Sequence, residues 1–256
     1  MGRLVKFGAI IIGDELLSGK RRDRHFPQLI RVLAERGLEL GWCRIIGDDP
    51  GLIVETLGQT LAGDDVVFCF GGIGATPDDH TRACAAQAAG VTLAPHAEAV
   101  EEIEARFGAA AYPQRIRLAE LPVGSAIIPN PYNRIPGFSL AHHHFLPGFP
   151  EMAWPMMIGL LDQQYRHLQR AVPPIERSLL VGAREGELLP LMQDLVRRHP
   201  RCRLSSLPEL NPDRPRLELG VRGEQEEVVA AVDYLRRELT ALNIEWQEKD
   251  FVSEPR

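Results

Sequence analysis

The sequence predicts an α/β protein: a three-layer α/β/α domain built on a mostly parallel sheet over residues 1–170, followed by a small βαββαβ α/β domain over 171–256. Three observations carry that expectation. Short β-branched and aromatic runs, such as Val66-Val67-Phe68-Cys69-Phe70, alternate with segments whose apolar residues recur at helical spacing. Continuous apolar runs of this length fit strands buried on both faces, and regular alternation with helices fits a parallel sheet covered on both sides. At Ala171-Val172-Pro173-Pro174 the alternation stops, and the order of elements beyond it changes.

Taken in order, Val5 to Ile12 reads as a buried strand that runs directly into Gly13-Asp14-Glu15-Leu16-Leu17-Ser18-Gly19. Phe26 to Arg36 has helical spacing closed by Gly37, and Leu38 to Ile46 reads as the next strand, which completes a βαβ unit. Gly47-Asp48-Asp49-Pro50 caps a helix from Gly51 to Ala62 that leads into the Val66 strand. That strand stops at Gly71-Gly72-Ile73-Gly74, and Thr76-Pro77-Asp78-Asp79 resembles the cap and first turn of a helix. Helices are expected over Thr81 to Gly90 and Ala97 to Phe107. Ser125 to Phe138 reads as strand, proline-rich turn and strand, and Phe145-Leu146-Pro147-Gly148-Phe149-Pro150 ends a strand in a turn that opens a helix from Met152 to Leu168. The second domain reads as strand Glu176 to Val181, helix Glu185 to Arg198, strand Arg203 to Leu207, polar loop 211–215, strand Arg216 to Arg222, helix Glu224 to Leu239 and an edge segment near Trp246.

Composition narrows the function classes. A formal net charge of -6 argues against a general nucleic-acid or membrane-surface binder and favours a small-molecule ligand. Cys43, Cys69, Cys84 and Cys202 form no C-x-x-C pair, and Met1 to Lys6 lacks a cleavable signal pattern, so reduced thiols and a cytoplasmic location are expected.

Ligands of parallel α/β sheets bind beyond the carboxyl ends of the strands, and three acidic or glycine-rich loops leave such ends here. Asp14-Glu15, Asp48 and Asp79 should therefore approach one cavity beside the Gly71 loop. Glycines let the backbone approach a ligand closely, and backbone N–H groups at the following helix would face an anion. Asp78 and Asp79 would repel a bare phosphate unless a divalent ion intervenes. His142-His143-His144 offers a rival metal site, but neighbours on a strand point to opposite faces, so the expectation is a solvent-exposed hairpin region.

Together, Gly13-Asp14-Glu15-Leu16-Leu17-Ser18-Gly19, Gly47-Asp48, Gly71 to Thr81, Ile128-Pro129-Asn130-Pro131, Pro136-Gly137-Phe138 and Leu146 to Met152 resemble the MoaB/Mog molybdopterin-binding domain. In detail they resemble the amino-terminal part of the competence/damage-inducible CinA proteins, and the βαββαβ segment resembles the KH-type domain that follows there. The resemblance implies metal-dependent hydrolysis of ADP-ribose or a related dinucleotide, or adenylylation of molybdopterin in molybdenum cofactor biosynthesis. It implies a divalent ion (Mg, Mn or Co), molybdopterin as an alternative ligand, and a homo-oligomer, dimer or trimer. The nicotinamide mononucleotide deamidase domain of CinA proteins is expected to be absent.

By the same resemblance Asp48 and Asp79 match aspartates of adenylyl transfer and Glu15 matches the acidic residue of the CinA-type loop; these three are the expected catalytic and metal-binding residues. Gly71, Gly72, Gly74, Thr76 and Thr81 match the loop that cradles phosphate or pterin. Gly13, Asp14, Ser18, Asp78, Pro147, Gly148 and Pro150 complete the expected ligand contacts. Ala75 stands where proline is usual, Asp23-Arg24-His25 replaces an asparagine-containing segment, and Phe149 offers a ring for stacking or packing. Two classes stay open, a hydrolase or transferase and a binding module without turnover. Retention of three carboxylates favours the enzyme, because a pure phosphate binder works better without negative charge.

Overall fold

The computed structural model describes residues 6–209 and 215–249. Two compact units divide between Ala171 and Val172.

The first unit runs β1 (Phe7–Ile12), α1 (Asp14–Leu17), α2 (His25–Ala34), β2 (Leu40–Ile46), α3 (Pro50–Leu61), β3 (Val66–Phe70), α4 (Thr81–Ala88), β4 (Leu93–Pro95) and α5 (Ala97–Phe107). It continues through β5 (Glu120–Pro122), β6 (Ala126–Ile128), β7 (Gly137–Leu140), β8 (His143–Leu146) and α6 (Pro150–Gln163). Six strands form one sheet in the order β2-β1-β3-β8-β7-β6. The first four are parallel, and β7 and β6 add an antiparallel edge.

All residues of β1 and β3 are buried, as continuous apolar runs demand of central strands. Alternate residues feed two cores. Ile10, Ile12, Val67 and Cys69 pack with Ile53, Leu57, Ala85 and Ile103 of α3, α4 and α5. Phe7, Ile11, Phe68 and Phe70 pack on the other face with Leu29, Leu33, Met157 and Leu161 of α2 and α6. This is the expected three-layer arrangement, and it leaves the carboxyl ends of β1, β2, β3 and β8 free to carry loops.

Two expectations are corrected. His143 and His144 are 0% and 1% exposed rather than solvated, because β8 is an interior strand between β3 and β7. His143 Nε2 donates to Thr60 Oγ1 at 2.8 Å, the Thr60 hydroxyl being committed to the carbonyl of Thr56. His144 lies between Ser139 Oγ at 2.8 Å and the Tyr165 hydroxyl at 2.6 Å. The alternation of faces is as expected, with His143 and His144 serving opposite cores. The second correction concerns α4, which begins at Thr81 with His80 as its cap, so Asp78 and Asp79 belong to the preceding turn and not to a first helical turn.

The second unit runs β9 (Ile175–Val181), α7 (Glu185–Arg198), β10 (Arg203–Glu209), β11 (Arg216–Gly223), α8 (Gln225–Ala241) and β12 (Trp246–Lys249). Its antiparallel sheet has the order β10-β11-β9-β12, the split βαββαβ arrangement. Leu179, Leu188, Leu219, Val232 and Leu235 belong to its core. Of the expected polar loop, 211–214 lie outside the described residues, as do residues 1–5 of the amino-terminal segment. Arg236 and Arg237 lie within α8.

Candidate functional site

The centre of the site is the loop after β3. Gly71 and Gly72 take φ of 104° and 67°, a region that favours glycine. Space forbids a side chain there as well: a Cβ on Gly71 would run into the carbonyl of Ile12, and one on Gly72 into Thr81 Oγ1. The start of α4 is stitched to the same turn, with Thr81 Oγ1 donating to the Gly71 carbonyl and Thr81 N–H to the Gly72 carbonyl, both at 3.0 Å. Thr81 is fully buried, so it shapes the loop from behind and faces no ligand.

Farther along, the loop is closed by Asp79. Its carboxylate accepts from Thr76 N–H at 2.9 Å and from the Thr76 hydroxyl, while Asp79 N–H donates to the Thr76 carbonyl at 3.0 Å. Gly74 is needed for room, since a Cβ would meet that carboxylate. Arg82 anchors the loop from α4: Nη2 donates to the Gly74 carbonyl at 2.6 Å, and Nη1 to the carbonyls of Arg117 and Glu120.

A second clamp joins the loops after β1 and β2. Asp14 N–H donates to Asp48 Oδ2 at 2.8 Å, and Asp48 N–H donates to Asp14 Oδ1 at 3.1 Å. Gly47 is buried at this crossing, where a Cβ would strike the Asp14 carboxylate. Burial raises the Asp48 carboxyl above the ordinary carboxylate value, the Asp14 N–H opposes this, and the nearby Asp14, Glu15 and Asp78 charges add to it. Asp48 is thus the carboxyl of the site whose proton affinity is moved toward acid–base work.

These loops enclose a cavity of about 510 Å³. Glu15, Asp48, Asp78 and Asp79 line it, as do Gly13, Gly71, Gly72, Gly74, Thr76, Pro147 and Gly148, the last of these directly beside Gly71. Asp14 acts one step back, through its clamp on Asp48. Ser18 is an exposed residue at the end of α1 and lies on neither this wall nor its neighbour, and Pro150, the first residue of α6, lines an adjoining cavity.

Among the described residues no group of three or more His, Cys, Asp or Glu side chains is placed to hold a metal ion. Asp79, Asp48 and Glu15 share one cavity, where Asp79 accepts from Thr76 and Asp48 from Asp14 N–H. A diphosphate's own divalent ion would arrive as part of the ligand, since such ions keep several waters and bind few protein groups.

Several wall residues were not among the expected site residues, although Asn130 and Met152 stand in the motifs that carry the resemblance. Arg21 brings the cavity a cation, and Asn130, Asn133 and Met152 line it across from the glycines. Asn130 is 4% exposed, donating from Nδ2 to the Ile135 carbonyl at 2.9 Å while its Oδ1 accepts from Tyr132 N–H at 3.0 Å. The signals were present in the basic run Lys20-Arg21-Arg22 and in the Asn130–Asn133 turn, but neither run says by itself where it folds.

Comparisons with known proteins bear on the family and fold of the first unit. The family described as "Probable molybdopterin binding domain" matches residues 8–167. A CinA-like protein of Geobacter sulfurreducens is 34% identical over 198 residues, covering 72% of this chain and 47% of the relative. A protein of Pyrobaculum calidifontis is 28% identical over 248 residues, covering 91% and 94%. The chain spans about half the length of the CinA-like relatives it matches. Among solved structures, the protein CinA with unknown function from Thermoplasma acidophilum is 26% identical, with a TM-score of 0.57 over 62% of this chain and 97% of that one.

Proposed function

Because the chain belongs to the MoaB/Mog molybdopterin-binding-domain family in its CinA-like branch, we propose that its first unit binds a nucleotide and hydrolyses a phosphoanhydride bond, with ADP-ribose or a related dinucleotide as substrate. The observation that carries this reading is the Asp14–Asp48 clamp. It holds a half-buried carboxyl of raised proton affinity on the wall of a glycine-lined cavity that also contains Arg21.

The chain's own residues supply position and a proton acceptor. Gly71 to Gly74 bring backbone against the phosphates, held in shape by Thr81, Asp79 and Arg82. Arg21 offsets their charge. The ionised Asp48 takes a proton from water as its oxygen bonds to phosphorus, the bridging P–O bond breaks, and the departing phosphate takes up a proton from solvent. Glu15 lies on the same wall with no ion-pair partner among the described residues, and it would be available to a divalent ion carried in by the diphosphate, which would neutralise phosphate charge there.

The test is product analysis with ADP-ribose, other nucleoside diphosphate sugars, and ATP with molybdopterin, each with and without Mg²⁺, Mn²⁺ or Co²⁺. AMP and ribose 5-phosphate from ADP-ribose, lost in Asp48→Asn, support the proposal. Adenylylated molybdopterin would move the assignment to cofactor biosynthesis, and saturable binding without any product would make the unit a binding module.

A further inference from the structure

The glycine-loop cavity does not end at Phe149. Across the Gly148-Phe149 ridge lies a second cavity of about 580 Å³, and Ile12, Glu15, Arg21, Gly148 and Phe149 belong to the walls of both. The two differ in charge. Asp48, Asp78 and Asp79 line the first, whereas Arg22 and Arg24 join Arg21 around the second.

The acids of the second cavity are mostly committed. Asp23 accepts from the N–H groups of His25 and Phe26, each at 2.9 Å, and Glu151 faces Arg24 at 3.4 Å. No ion pair ties Arg21 or Arg22 among the described residues. His25 forms part of the wall: it is 5% exposed, stacks on Phe70 at 4.4 Å, and donates from Nε2 to the Gly148 carbonyl at 3.0 Å. Its Nδ1 is left without a hydrogen-bond partner. The imidazole therefore braces the ridge from the second-cavity side.

We propose that this second cavity is an anion subsite that takes the distal phosphate and sugar of a diphosphate-bridged nucleotide whose proximal half occupies the glycine-loop cavity. The inference rests on the nucleotide reading above and narrows it to ligands longer than a mononucleotide. Arg21, common to both walls, stands where the diphosphate crosses the ridge. Beyond it Arg22 and Arg24 supply charged donors, which bind phosphate oxygens more strongly than neutral groups do. A ligand confined to the first cavity would leave Arg22 without an ion-pair partner among the described residues and Arg24 with Glu151 and the Trp154 ring alone.

Calorimetric titration of the full chain with AMP and with ADP-ribose tests this. Wild type should bind ADP-ribose about tenfold or more tighter than AMP. Arg22→Gln/Arg24→Gln, which alters the second cavity alone, should erase most of that preference while AMP affinity stays within about twofold. Its unfolding temperature should match wild type, because both side chains are exposed. A double variant that keeps the full preference overturns the subsite and leaves the nucleotide reading standing. Equal weakening of AMP and ADP-ribose also overturns it, since the arginines would then serve the primary site. A wild-type chain that binds neither ligand overturns both.

Discussion

Both units pair carboxylates with arginines, as Asp162 with Arg36 in the first, yet the candidate site spends its carboxylates differently. In the second unit Asp194 accepts from Tyr234, Arg197 and Arg198, and hydrogen bonds from the Tyr234 hydroxyl and from Arg198 hold its carboxyl down at about 2. Glu218 is paired with Lys249, and Glu248 with Arg236. In the first unit Asp48 is given a backbone donor but no cation, and burial pushes its carboxyl up. Charges that neutralise one another hold a surface together; a carboxyl denied a counter-charge, beside a cavity, is free to exchange a proton.

The largest expected effect sharpens that contrast directly. Asp48→Asn keeps an acceptor for Asp14 N–H and removes the proton acceptor, so kcat for the proposed hydrolysis should fall about 10²–10⁴-fold with folding retained. Asp194→Asn should leave the same rate within about twofold. The wild-type rate profile should lose activity on its acid side above the ordinary carboxylate value of 3.8, because the Asp48 carboxyl is raised. An acid limb at or below 3.8, or a fully active Asp48→Asn, would break the comparison.

Next comes the buried histidine strand, the first unit's other departure from paired charge. Burial lowers His144 to about 4 and His143 to about 3, from 6.5. Folded values below the unfolded one mean that the native state binds fewer protons. Their contribution to stability is whole above pH 6.5 and drains as pH falls from 6.5 toward about 4 for His144 and about 3 for His143. For His144 alone the loss by pH 4 is about 3 kcal/mol. Urea unfolding at pH 7 and pH 4.5 measures it, and His144→Gln should flatten the difference.

A smaller effect is expected at the loop. Gly72→Ala places a Cβ against Thr81 Oγ1 at φ 67°, so it should cost about 1–3 kcal/mol and weaken nucleotide binding along with it. Ligand affinity unchanged in a destabilised Gly72→Ala would separate the loop from the site. Smallest of all, Asp194→Asn should shift the unfolding temperature little, since its partners are exposed arginines and one tyrosine. A large shift would show that the second unit depends on its charge pairs.

By itself the sequence determined most strands and helices, though not α1, β4 or β5, together with the change of pattern near Ala171 and the loops that leave the parallel sheet. These are local properties: a buried strand shows as an apolar run, and the cap of α3 shows as Asp49, whose side chain accepts from Leu52 N–H at 2.8 Å, three residues away. Asp48 and Glu15 could be placed beside the glycines because chain direction puts such loops at one end of the sheet. Only the tertiary structure decided what each carboxyl does there. Asp48 meets Asp14 across 34 positions, Asp79 turns back on Thr76, and His143 finds Thr60 across 83 positions. Partners that distant are chosen by how layers pack, and no periodicity records them. The second cavity was hidden for the same reason: nothing in the sequence brings Arg21 and Arg22 to the wall they share with Gly148 and Phe149.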